Sequence, residues 1–205
     1  MEISLENIGR RFNREWIFRG ISRSFASGNS YAVLGPNGSG KSTLLQILAG
    51  SLTPSEGTIA YLGAGGATDP EKVFRSVSIA APYLELIEEF TLNEIIRFHF
   101  RFKQPAADLS PGQLISLMEL EKAQNKQIRY FSSGMKQRVK LALAICSDSP
   151  VLILDEPASN LDRKAVDWYH RLIAGFTNDR IVLVGSNQEH EYDFCREQLL
   201  ITDYK

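Results

Sequence analysis

The chain has 205 residues, with 23 Lys and Arg against 24 Asp and Glu, a net charge of −1, and 43% hydrophobic residues. This is an ordinary globular balance, with room for one compact domain and a real core, and it argues against a strongly basic nucleic-acid surface. The isolated cysteines, Cys146 and Cys195, point to a reducing compartment and no disulfide framework. The start, MEISLEN, carries no basic segment followed by an apolar run, and runs such as VLIL are far too short to span a bilayer. Any membrane-embedded work is therefore expected of another chain.

In chain order, residues 2–8 and 15–25 read as strands, Gly28 marks a turn, and SYAVLG at 30–35 is a short buried strand. A glycine-rich loop leads into KSTLLQILAG, a helix with Leu44, Leu45 and Leu48 on one face and Gly50 as its stop. TIAYLG at 58–63 reads as another strand, and 63–70 as a loop. The middle changes character. Thr91-x-x-Glu94 and Ser110-Pro111-x-Gln113 are capping-box starts, and FSSGMKQR at 131–138 opens a third helix. Residues 83–149 thus read as a helical block. After it comes strand VLILD, a helix from Arg163 to Phe176, strand RIVLVG, a short helix and strand QLLIT. Strands alternating with helices imply a mainly parallel sheet with right-handed crossovers.

The chemistry sits at two places. GPNGSGKST, comprising Gly35, Pro36, Asn37, Gly38, Ser39, Gly40, Lys41, Ser42 and Thr43, matches G-x-x-x-x-G-K-[ST] between a strand and a helix. Such glycines turn backbone N–H groups inward around phosphate oxygens, and the helix start adds its dipole. Lys41 reaches toward the β- and γ-phosphates, and the Ser42 hydroxyl is placed for Mg²⁺. In VLILDEP, a buried strand ends in two acids. Asp155 is placed to orient Mg²⁺ through its waters, and Glu156 to polarise an attacking water or take its proton.

The order of phosphate loop, helical insert, small-polar motif on a helix, strand ending Asp-Glu-Pro, and SNLD at 159–162 closely resembles the ATP-binding subunits of ABC transporters over nearly the whole chain. The resemblance implies a P-loop NTPase (RecA-like) α/β core from residues 1–82 and 150–205. It also implies an N-terminal antiparallel β-subdomain and a helical subdomain inserted at 83–149. It further implies ATP and Mg²⁺ as cofactors, hydrolysis of ATP, and a homodimer or heterodimer of such subunits bound to an integral membrane permease through the helical subdomain. The expected place is the cytoplasmic face of the membrane. The family signature Leu-Ser-Gly-Gly-Gln reads here Phe131-Ser132-Ser133-Gly134-Met135. Two subunits packed head to tail would put Ser132, Ser133 and Gly134 on the nucleotide of the other copy, with Asp162 in the loop that touches the partner's phosphate loop. Ser132 or Ser133 as a helix cap, and Asp162 as another, fit the same positions. Phe12 sits where the family stacks an aromatic ring on adenine, with Trp16 as one alternative and Phe12 as a plain core residue as the other.

Two positions depart from the family. Its glutamine before the helical block is replaced by Pro82 or Tyr83, and its histidine after the last core strand by Asn187, with His190 three residues on. An amide still donates a hydrogen bond but carries no proton, so slow hydrolysis is expected. In EIIRFHFRFK, helical spacing puts Ile95, Phe98 and Phe102 on one core stripe, with Phe98, Phe100 and Tyr83 as candidates for a permease groove. Lys140 reads as part of a solvated face. The short tail after LLIT favours an export-type subunit over importers with a regulatory domain. The alternative is a soluble relative or a nucleotide-sensing module with no permease.

Overall fold

The computed structural model describes residues 1–63 and 65–205. Strands β1 (Glu2–Phe12) and β2 (Glu15–Ala26) form a long antiparallel hairpin, with Glu2 opposite Ala26 and Phe12 opposite Glu15. Alternation decides its inner face: Ile3, Leu5 and Ile8 from β1 and Phe18, Ile21 and Phe25 from β2 are buried. β3 (Ser30–Leu34), the glycine loop and α1 (Lys41–Leu48) follow. β4 (Glu56–Gly63) returns antiparallel to β1, and the two-residue β5 (Gly66–Ala67) pairs with its end, so part of the expected 63–70 loop is strand.

After β6 (Val77–Ala80) come α2 (Leu92–His99), β7 (Gln104–Pro105), α3 (Pro111–Leu117), α4 (Ser133–Ile145) and β8 (Ser147–Asp148). Both capping boxes form as their sequences predict. Thr91 accepts from the Glu94 N–H and Ser110 from the Gln113 N–H, each answered by the acid or amide reaching back. β9 (Val151–Asp155), α5 (Arg163–Phe176), β10 (Ile181–Ser186) and β11 (Glu197–Leu200) complete the chain.

One sheet, in the order β2-β1-β4-β5, is antiparallel; the other, β11-β3-β10-β9-β6, is wholly parallel. Its central strands β9 and β10 are buried along their full length, as a sheet covered on both faces requires. In a parallel sheet every strand ends at the same edge. The glycine loop after β3, Asp155 at the end of β9, and Ser186 at the end of β10 therefore gather at one rim. Because β10 lies between β3 and β9, Asn187 emerges between the glycine loop and the two acids.

The aromatic run does not form the expected core stripe. α2 ends at His99, so the helical register stops before Phe102. Ile95 and Ile96 are buried, whereas Phe98 is 38% exposed and Phe102 72%. Phe100 leans on the core instead. The basic residues at the start of α4 are likewise tied down rather than merely solvated. Lys136 pairs with Glu88, Arg138 with Glu119 at 2.7 Å, and the Lys140 ammonium donates to the Ala81 carbonyl at 3.4 Å.

His99 is bonded through Nε2 to the Ser147 hydroxyl at 2.9 Å, and burial pushes its pKa down to about 4 from 6.5. Over that interval the unfolded chain binds the proton that the folded chain refuses. The contribution of the neutral ring is therefore complete above about pH 6.5 and is lost as the pH falls toward 4. Chemical denaturation at about pH 7.5 and about pH 4.5 is expected to show the parent losing on the order of 2 kcal/mol more than His99→Gln, a figure reduced for partial exposure of the ring. Equal losses in the two proteins would refute this.

Candidate active site

The glycine loop is shaped by two residues that tolerate no side chain. Gly35 has φ 152° and Gly40 φ 110°. A Cβ on Gly35 would lie 2.6 Å from the Ser39 hydroxyl oxygen, and one on Gly40 would lie 2.5 Å from the Ile17 side chain. Glycine alone satisfies both backbone and space there. The loop leads straight into α1, whose first turn contains no acid, so its free N–H groups and dipole face the loop uncompensated. The buried Lys41 ammonium donates to the Gly35 carbonyl at 2.8 Å and the Pro36 carbonyl at 3.2 Å, and the buried Ser39 hydroxyl has no partner. Gly38, Gly40, Lys41, Ser42, Thr43 and Glu156 line a cavity of about 200 Å³, with Ile17 and Asn37 at its wall.

Asp155 is 1% exposed, and neither of its carboxylate oxygens has a hydrogen-bond partner. Burial raises its pKa, the Ser42 hydroxyl and Lys41 pull the other way, and Glu156 adds to the rise. A buried carboxylate left bare beside a serine and a lysine fits a divalent cation, which would supply the missing charge. Ser42 and Asp155 are the residues that would hold it. Glu156, at φ 46°, stands in the left-handed region unusual for a residue with a side chain, and its N–H donates to the Gly185 carbonyl at 2.9 Å. That turn aims Glu156 away from its strand and into the cavity wall.

The Asn187 amide donates to the Asn37 side chain at 3.2 Å, which ties the end of β10 to the glycine loop. His190 lies on the surface, its carbonyl accepting from His170 at 2.7 Å. Of Pro82 and Tyr83, Tyr83 is the one whose polar group reaches this region. Burial raises its phenol pKa, the Gln46 side chain opposes this, and the Asp155 charge adds to it. Phe12, 47% exposed, has the Arg10 guanidinium 4.6 Å from its ring centre, while Trp16 is half-buried with Arg19 at 4.4 Å.

Ser132, Ser133, Gly134 and Asp162 lie elsewhere. They line a separate hollow of about 380 Å³, shared with Asn160 and Leu161, that has no residue in common with the glycine-loop cavity. Ser132 caps α4 by accepting from the Met135 N–H at 3.2 Å, and Asp162 caps α5 through the Ala165 N–H at 2.8 Å. Both cap readings hold. A Cβ on Gly134 would stand 3.2 Å from the Asn160 carbonyl, so the start of α4 and the 159–162 loop are in close register.

Two buried residues near the site escape sequence reading. Gln137, 5% exposed, donates to the Pro157 carbonyl at 2.8 Å, and Glu191, fully buried, accepts from the Ala158 N–H at 2.7 Å. Glu191 sits in a polar stretch, QEHEYD, that carries no periodic signal.

A family model described as "ABC transporter" matches residues 18–159. The chain belongs to the ABC transporter family. It is an ATP-binding cassette of the P-loop ATPase class, with a parallel core sheet and an antiparallel β-subdomain. The cassette is 29% identical over 205 residues to a Nod factor export ATP-binding protein I of Burkholderia orbicola, covering 98% of this chain and 67% of that one. It is 32% identical over 205 residues to a sulfate/thiosulfate import ATP-binding protein of Rhizobium meliloti, covering 95% of this chain and 56% of that one. The cassette therefore spans about half to two thirds of these relatives. Among solved structures, an ABC transporter ATP-binding protein from Pyrococcus furiosus superposes with a TM-score of 0.82 at 19% identity, with full coverage of both chains. A dimeric cassette in a post-hydrolysis state, bound to ADP and Pi, superposes with a TM-score of 0.82 at 21% identity, over 97% of this chain and 93% of that one.

Proposed function

We propose that this cassette is the ATP-binding and hydrolysing subunit of a transporter whose permease is a separate membrane chain. The observation that carries the reading is the bare, buried Asp155 carboxylate at the strand end beside the Lys41–Ser42 helix start. Backbone N–H groups of residues 38–43 and the Lys41 ammonium receive the phosphates, and Phe12 offers its free face to the base. Mg²⁺ held by Ser42 and Asp155 would neutralise charge on the β- and γ-phosphates. Glu156 orients the attacking water and accepts its proton, and the Asn187 amide donates to the γ-phosphate. A second copy supplies Ser132 and Gly134 over that phosphate, a reading supported by the hollow at their helix start lying apart from the chain's own cavity.

The direction we assign is export, supported by the Nod factor export proteins among its relatives. The permease contact we assign to the helical block at 83–149. Among the described residues no helix is long and apolar enough to cross a membrane. Leu84, Leu86, Ile79, Leu143 and Ala144 line a groove of about 250 Å³ that also takes in Glu85 and Lys140, and Tyr83, Ile87 and Phe98 of the same block are exposed, a mixed surface suited to a permease helix on the cytoplasmic face.

The test is Mg²⁺-dependent ATP turnover by the purified chain, with Asn187→Ala beside it. Turnover by the parent, lowered about tenfold in Asn187→Ala at unchanged ATP affinity, is expected. ATP binding without turnover would leave the nucleotide-sensing reading in its place. Equal rates in both proteins would remove the role of Asn187.

A further inference from the structure

Glu191 is a fully buried carboxylate that the proposed chemistry does not use. It lies in a short helical turn after β10, and its two oxygens point at two different segments. Oε1 accepts from the Ala158 N–H at 2.7 Å, and Oε2 accepts from the Ser186 hydroxyl. Ala158 stands two residues after Glu156, and Ser186 immediately precedes Asn187. The Ser186 oxygen in turn accepts from the Gln188 N–H at 2.9 Å. Beneath this, the Tyr169 hydroxyl donates to the Glu191 carbonyl at 3.0 Å, so α5 fixes the turn that carries the acid. On the other side of the 156–158 turn, Gln137 of α4 holds the Pro157 carbonyl at 2.8 Å.

These bonds make one buried bracket. The segment bearing Glu156 and the segment bearing Asn187 leave neighbouring strands, and the Glu156 N–H already joins them through the Gly185 carbonyl. That bond joins the two segments at the strand ends, while Gln137 and Asn37 tie each of them to other parts of the fold rather than to one another. Glu191 adds a side-chain link between the two segments on the far side of that bond, which limits their movement relative to each other. Burying a carboxylate is costly, and burial raises the pKa of this one. An apolar residue could fill the same volume without that cost, but it would leave the Ala158 N–H and the Ser186 hydroxyl unpaired.

We propose that Glu191 is a positioning residue: it fixes the distance between the Glu156 carboxylate and the Asn187 amide by bracing the Ala158 N–H against the Ser186 hydroxyl. The role rests on the proposed catalytic reading of Glu156 and Asn187. Geometry of this kind acts on the rate of the chemical step, because small misplacements of reacting groups weigh on the transition state far more than on nucleotide binding.

The experiment measures kcat, KM for Mg-ATP and the thermal midpoint for the parent, Glu191→Ala, Glu191→Gln, Ser186→Ala and the remote core truncation Leu172→Ala. Glu191→Ala is expected to lower kcat at least about tenfold with KM within about threefold, and Ser186→Ala to fall between it and the parent. Glu191→Gln keeps an oxygen for the Ala158 N–H and an N–H for the Ser186 oxygen, so it is expected to stay within about threefold of the parent. Leu172→Ala is expected to lower the midpoint and spare kcat. A parental kcat in Glu191→Ala overturns the inference, as does an equal loss of kcat in Leu172→Ala at a matched midpoint. If Glu191→Ala does not fold, a parental kcat in Ser186→Ala overturns it instead. A parent without any turnover overturns the proposed function and this inference with it, whereas the preceding results overturn the inference alone.

Discussion

Glu156→Gln is expected to bind Mg-ATP within about threefold of the parent affinity while its turnover falls at least about 100-fold. The substitution keeps the shape of the side chain and the strained turn at φ 46°, so the cavity wall it forms with Lys41 and Ser42 is retained. What it removes is the proton acceptor proposed above. An amide holds a water in place but takes no proton from it, and the loss therefore falls on the chemical step. Removing one negative charge beside the triphosphate does not weaken binding. Asp155, the residue proposed to hold the cation, stays in place, so the bound state is expected to accumulate, and size-exclusion chromatography in ATP is expected to show an enlarged dimer fraction for this variant. Single-turnover kinetics separate the two steps. If the chemical step were unchanged in Glu156→Gln, the base would have to be sought elsewhere on the rim.

The parts of the fold that could be read from the chain are those set by short-range chemistry. Gly35 and Gly40 are required where the backbone turns with no room for a Cβ, and a glycine pattern between strand and helix announces that. Thr91, Ser110, Ser132 and Asp162 bond N–H groups three residues ahead, so their caps follow from local spacing. The apolar run of β9 ending in Asp155 and Glu156 is legible for the same reason. Phe98 and Phe102 misled because helical periodicity assumes that the helix continues, and α2 stops at His99. Lys140 misled because its acceptor, the Ala81 carbonyl, lies 59 residues away. Glu191 and Gln137 were invisible for a related reason: the Ala158 N–H and Pro157 carbonyl that they bond are 33 and 20 residues distant, and nothing in the polar stretch around either marks it as buried.

Mixing two inactive variants decides whether the site is completed by a second copy. Lys41→Ala removes the phosphate cation, and Gly134→Asp places a carboxylate where Ser132 and Gly134 would approach the phosphate. It also crowds the Asn160 carbonyl, since even a Cβ at this position would lie 3.2 Å from it. Each homodimer is then damaged at both sites, and each is expected to lose turnover at least about 100-fold. A mixed dimer differs. Its two faults fall on one composite site, and the other site pairs an intact phosphate loop with an intact helix start. Random assortment makes half of the dimers mixed, each with one working site of two, so the mixture is expected to recover about a quarter of parental turnover. A chain that completed its own pocket would show no recovery at any ratio, because every molecule in the mixture carries a fault of its own. Recovery that rises and falls with the mixing ratio, greatest at equal amounts, is therefore the signature of two chains sharing a site. It also accounts for the hollow around Ser132, Gly134 and Asp162 standing apart from the glycine-loop cavity of the same chain.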